Sequence, residues 1–399
     1  ANNVNISGYM ADNSQFTLSD YLLNVGEYSR GGVGLRVEDY GDVILGNSSD
    51  PTTNHEINLL AGSEGNAGIY LHGSNVATVT FEPDPVWSPG YTETADVGGL
   101  LGARVTTDGM VMNIAGNKQV GVQLEEYGYF YHKNGNINVN GTNNTGIAVR
   151  TGGTGELSNT GTIGVSAGNL GVYNESTFDM TGGTINVDGL ASVGVYSEAG
   201  NTGTTLSSGT IKSTNGGIDF YAGTGAVMNL NQGLNLISGN KGLLFYNYDG
   251  SALTGKYNLT GTVGATVENG GNAFYVKSGT TLTNYLNNSF TGTGNLDLTL
   301  KSGSKLYILD GEGGTVNLTA LDSITSAGGT IGNNVTINAA SASDYIPVSM
   351  NKGTLVLDRD INLDNSSELY KRSEFSSASV LLGSGKTITG TQNSQTGIA

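Results

Sequence analysis

The chain has 399 residues, with 64 Gly, 5 Pro and no Cys, and a formal charge of −17 carried on only 13% charged residues. That balance excludes a nucleic-acid binder, which needs clustered Lys and Arg, and a polybasic membrane surface; the absence of Cys excludes disulfides and thiolate metal sites. Gly keeps no three-residue period, so the chain is not collagen-like. Hydrophobic residues make up 37% and gather in short Val/Ile/Leu/Tyr clusters, unlike a disordered tract.

At the start, Ala1-Asn2-Asn3-Val4 carries no charged-then-apolar signal pattern. The expectation is therefore a processed chain or a piece of a longer one. No run approaches 18 consecutive apolar residues, the length a spanning helix needs. The first recognisable unit is Gly68-Ile69-Tyr70. The same spelling returns at Gly121-Val122-Gln123, Gly146-Ile147-Ala148, Gly171-Val172-Tyr173 and Gly194-Val195-Tyr196, with weaker copies at Gly217-Ile218 and Gly242-Leu243. From Gly121 the steps are 25, 25, 23, 23 and 25 residues, a period that marks a repeat architecture.

Before the regular repeats, residues 72–98 break the pattern. Three of the five Pro and the only Trp fall within Pro83–Pro89. Pro cannot donate to a strand ladder, so this segment is expected to leave the rod as a loop insertion. Trp87, Tyr91, Asp84 and Glu82 are its candidate binding residues, since an aromatic held in a stiffened loop is a natural anchor. A loop folded back on the rod is the plainer alternative. Within the unit at Gly121 the next cluster is Tyr129-Phe130-Tyr131. If Phe130 points inward, strand alternation turns Tyr129 and Tyr131 outward, where they stack on a sugar ring or a protein partner, or on neighbouring coils.

Each unit holds three apolar clusters of period two, separated by Gly, Asn, Ser and Thr. The unit at Gly171 reads Val172-Tyr173, Phe178-Asp179-Met180 and Ile185-Asn186-Val187. Three short strands per unit predict an all-β fold, a three-sided parallel β-helix of roughly 24 residues per coil, with about 16 coils over residues 1–399. Tyr173, Tyr196, Tyr221 and Tyr246 recur in step and predict a structural ladder. No sustained helical stripe is visible, so no helix is expected. The period degrades after Gly242, and residues 340–375 read as an irregular coil region. Gly397-Ile398-Ala399 spells the opening of another coil, so the parent protein is expected to continue.

Catalytic and metal signatures are thin. Gly164-Val165-Ser166-Ala167-Gly168 matches GxSxG without the strand-to-helix context that pattern requires. His55, His72 and His132 lack metal-ligand spacing. Asp358, Asp360 and Asp364 around Arg359 could hold a cation or serve as paired acids, or simply face solvent. Neither a cofactor nor a metal is expected.

The runs Thr184-Ile185-Asn186-Val187, Gly194-Val195-Tyr196 and Asn159-Thr160-Gly161-Thr162-Ile163 resemble the passenger domains of bacterial type V autotransporters. They are most similar to the large fusobacterial outer-membrane adhesins and more distantly to the vacuolating-toxin family. The resemblance implies a right-handed helix and secretion through a C-terminal barrel that is not in this chain. It also implies surface display as a monomer and adhesion to a host cell-surface protein or glycan or to a partner bacterium. It carries no binding motif onto particular residues. A pure spacer, a polysaccharide-acting enzyme and a toxin-like passenger stand as alternatives.

Overall fold

The computed structural model describes residues 4–5, 16–18, 21–25, 31–39, 41–49, 55–73, 78–81, 93–96, 102–247, 255–277, 279–317, 328–340, 344–362 and 378–391. Among the described residues the chain is all-β apart from one short helix and is built of long parallel sheets, the architecture of a β-solenoid. The three clusters of each repeat fall on three parallel ladders. Leu170–Asn174, for example, pairs with Thr145–Val149 before it and Val193–Ser197 after it. The second and third ladders are joined, because strands such as Gly128–Val139 and Thr177–Asp188 run continuously around the corner between them.

The Gly-Val-Tyr spelling has a direct physical reading. Val faces inward and stacks on its equivalent one coil away, from Leu35 through Ile69, Val122, Ile147, Val172 and Val195 to Phe220, Phe245, Phe274 and Tyr307. Every member of that ladder is essentially buried. Gly is required because a Cβ at Gly146 would sit 2.6 Å from the Gly171 carbonyl oxygen, which is backbone and cannot yield. Tyr is the outward residue. Between the third and first ladders, buried amides tie successive coils. The Gln119 N–H donates to Asn144 Oδ1 at 2.7 Å and the Asn144 N–H to Asn169 Oδ1 at 2.8 Å. Buried backbone donors at the corner are thereby satisfied, which explains the abundance of Asn.

Two expectations need correction. Gly217 and Gly242 are not equivalents of Gly194. The register pairs Val193 with Ile218 and Val195 with Phe220, so Asp219 takes the glycine position. The two weaker copies were displaced by two residues because a turn glycine precedes them. A helix does occur, Leu282–Ser289, between the first and second ladders. Thr281 caps it by accepting from the Asn284 N–H at 3.2 Å, and Leu282, Tyr285, Leu286 and Ser289 are its buried face. Eight residues are too few for that stripe to stand out in the sequence. Among the described residues the first ladder has 13 strands, and its steps are uneven. Stacked residues are 34 apart at Asn24/Asn58, 55 at Asn58/Asn113, 25 at Asn113/Asn138 and 39 at Asp297/Thr336.

At the corner before the first ladder, one recurring position adopts the left-handed conformation. Gly168, Gly270 and Gly303 occupy it in some coils, and Lys118, Asn143, Ala191 and Lys241 in others. Ala191, at φ +59°, has neither the freedom of Gly nor the polar side chain that eases this conformation in Asn. Ala191→Gly is expected to stabilise the fold by about 0.5–1 kcal/mol, the relief of a left-handed residue less the extra freedom glycine gives the open chain. A rise in the thermal midpoint checks it; a fall would show that the corner tolerates Cβ without strain.

Candidate functional surface

Glu82, Asp84, Trp87 and Tyr91 lie outside the described residues. The strands that flank them are described: Thr78–Phe81 pairs antiparallel with Glu93–Asp96, an arrangement shared among the described residues only by Gly328–Ile331 with Val335–Ala339. The two ends of this segment meet. A Cβ built on Gly73 would lie 2.7 Å from the Gly102 Cα, and one on Gly102 would lie 2.6 Å from Cε2 of Tyr129. The Gly73 N–H donates to the Glu126 carbonyl at 2.6 Å. The root of the insertion is thus seated against Glu126–Tyr129, and the two candidate regions, far apart in sequence, are neighbours in space.

Phe130 is fully buried, and Tyr129 and Tyr131 are half-buried on the outer side of the second ladder. Arg104, the first charged residue after the insertion, pairs in register with Tyr129, and its guanidinium lies 5.5 Å from the centre of the Tyr131 ring. Glu156 follows Tyr131 in the next coil and Asp179 follows Glu156. Burial, then the negative Glu156 beside it, pushes the Asp179 carboxyl up; burial likewise pushes the Tyr131 phenol up. Thr181 Oγ1 donates to Glu156 at 2.9 Å. Around the corner, the Tyr70 hydroxyl donates to Glu125 at 2.6 Å and the Gln123 amide at 2.7 Å. Burial raises the Glu125 carboxyl, but those two bonds outweigh it and hold it below the usual range. The result is an outward patch of two tyrosines, one arginine and flanking carboxylates around the root of the insertion. Arg104, Glu156 and Asp179 were not singled out from the sequence. The repeat itself was the available signal, since one coil on from Arg104 is Tyr129 and one coil on from Tyr131 is Glu156.

The tyrosine row of the first ladder is different in kind. Tyr173, Tyr196, Tyr221, Tyr246 and Tyr275 stack with ring centres 5.4, 4.9, 5.0 and 4.9 Å apart. Arg150 covers the open face of Tyr173 at 4.7 Å and bonds Glu175 at 2.7 Å. Ring faces in such a column are spent on one another, so only edges and hydroxyls meet solvent. A sugar stacks on a ring face, and the column has none to offer. Tyr129 and Tyr131 make no ring–ring contact among the described residues; Arg104 stands over the Tyr131 ring and the root of the insertion packs on the edge of Tyr129.

The remaining sequence candidates have structural roles. Ser166 Oγ donates to the Val139 carbonyl at 3.0 Å in a turn. Asp360 accepts from the N–H and hydroxyl of Thr387, which lower its pKa and tie two coils. His132 is buried, with Nδ1 2.8 Å from Thr107 Oγ1 and Nε2 3.2 Å from the Thr162 carbonyl. No cluster of three His, Asp or Glu suited to a metal occurs among the described residues. Asp364 lies outside them. No known family, curated protein or solved structure matches this chain.

Proposed function

We propose that the chain is a non-catalytic adhesin segment, part of the passenger of a bacterial type V autotransporter displayed on the outer membrane. In this reading it forms a right-handed, three-sided β-helix of about 24 residues per coil. The insertion at 72–98 and the patch beside it meet a host cell-surface protein or glycan, or a partner bacterium. One observation carries the reading: the root of the only Trp-bearing segment is seated against Tyr129, next to Tyr131, Arg104 and Glu156. Breaks in a solenoid are where binding surfaces accumulate, and Tyr, Trp and Arg are the side chains that dominate interface energetics.

The test is binding of the soluble chain to a glycan array and to host cells, for wild type, Trp87→Ala and the Tyr129→Ala/Tyr131→Ala pair. Saturable binding that weakens at least tenfold in either variant is expected, since a hot-spot aromatic contributes about 2 kcal/mol or more. A well-folded wild type that binds nothing would make the chain a spacer. Reducing-sugar release from acidic glycans and leakage of lipid vesicles are expected to be absent, and either activity would replace this reading with an enzyme or a toxin.

A further inference from the structure

The glycine column of the first ladder ends at one residue. From Gly34 to Gly194 each position is Gly, and the next register position is Asp219, followed by Leu244 and Ala273. The row that faces this column changes at the same level. Cβ atoms built on Gly146, Gly171 and Gly194 would each lie 3.0 Å from a Cγ2 of Val139, Val165 and Val187. In register after Val187 come Ser213 and Ser238, and Val267 then restores the apolar row. Two serines replace two valines where one carboxyl replaces glycine. Asp219, Ser213 and Ser238 are all 0% exposed.

The niche is polar but does not satisfy the carboxyl. Ser213 Oγ donates to the Leu243 carbonyl at 3.2 Å, and Ser238 Oγ accepts from the Asn272 N–H at 3.0 Å. Neither oxygen of Asp219 has a hydrogen-bond partner of normal geometry, the Ser213 hydroxyl beside it being turned to the Leu243 carbonyl. The charged groups on the surrounding strands point away. Lys212 lies 3.9 Å from Glu268 on the outer surface. Asp188 receives Thr214 and Asn215 in an exposed corner. Tyr196, Tyr221 and Tyr246 stand in the outer column. An ionised carboxylate buried without a cation or a set of donors is among the most expensive groups an interior can hold.

We propose that Asp219, with Ser213 and Ser238, forms a proton-dependent joint in the solenoid: the coil around Ile218–Ala222 is closed while the carboxyl holds its proton and opens reversibly as pH rises. Burial pushes the carboxyl well above its ordinary value, with the Ser213 hydroxyl opposing weakly. In the open coil it returns to that ordinary value. The closed state is therefore fully favoured below the ordinary carboxyl range. It loses about a factor of ten per pH unit above that range, until the closed coil itself releases the proton. Because each coil of a solenoid is held by its neighbours, the opening is local. It lies where the inner ladder changes from Val195 to Phe220.

Amide hydrogen exchange between pH 5 and 8, corrected for the chemical exchange rate at each pH, tests this on wild type and Asp219→Asn. Wild-type peptides within residues 213–245 are expected to lose protection steeply with pH relative to peptides within 282–300. In Asp219→Asn that dependence is expected to vanish. A flat wild-type profile overturns the proposal, as does a slope that survives in Asp219→Asn. Should that variant not fold, Asp219→Gly, which restores the column residue, takes its place, and the wild-type slope remains decisive alone.

Discussion

Phe245→Ala is expected to destabilise the chain by about 3–5 kcal/mol, the range for truncating a fully buried aromatic. Phe245 is the centre of the aromatic half of the core. Phe220 and Phe274, its ladder neighbours, lie 5.5 and 5.9 Å away between ring centres. Tyr257 and Phe290 meet it edge-on at 4.8 and 5.0 Å, at 65° and 84°. The site collapses poorly, since four rings and the hydrogen-bonded backbones of three coils surround the void. Phe245→Leu, which keeps most of the volume, is expected to cost only about 1–2 kcal/mol. The damage is also expected to be local, because solenoid stability is close to a sum of coil and neighbour terms. Chemical denaturation followed by exchange protection measures both parts. A loss below about 1 kcal/mol in the Ala variant would mean that these rings do not pack as a cluster.

Much of this architecture is written in the repeat, and the parts that are not have physical reasons. Val172 and Val195 face inward and Tyr173 and Tyr196 outward, as alternation requires, and the three clusters of the Gly171 unit fall on three ladders. The tyrosine row was legible because stacking fixes one residue type at one register position. The displaced copies at Gly217 and Gly242 were not, because glycine serves two purposes in this chain. It avoids a clash in the column and it turns the corner, and spelling alone does not separate them. Asp219 hid behind that ambiguity. The meeting of Gly73, Gly102 and Tyr129 was also out of reach. A segment whose two ends meet shows in sequence only as a long step, with no sign of which residues those ends land beside.

Lowering the pH from 7 to 4 is expected to remove about 3 kcal/mol of stability through His132 alone. This residue lies on the strand that carries Tyr129 and Tyr131. The Thr162 carbonyl can only accept, so Nε2 carries the proton and Nδ1 accepts from the Thr107 hydroxyl. The ring lies parallel to Phe130, 6.1 Å between centres, in a fully buried site. Burial lowers its pKa from 6.5 to about 4, against the weaker opposite pull of the Thr162 and Gly135 backbone. The folded state prefers the neutral ring. Its contribution is therefore fully present above pH 6.5 and is lost as the pH falls towards 4, while the open chain takes up a proton the fold refuses. Asp219 works the other way, gaining as the pH falls. The comparison must therefore be between wild type and His132→Gln, in which every other group cancels. Glutamine can still donate to Thr162, and Thr107 can turn to the Asn134 carbonyl, 3.2 Å away. Unfolding midpoints measured from pH 7 to 4 are expected to converge, with wild type ahead at pH 7 and losing its lead in acid. Parallel curves would mean that His132 is reached by solvent in the fold. Convergence would mean that acid loosens the coil beneath the tyrosine patch first, and with it the surface to which adhesion is assigned.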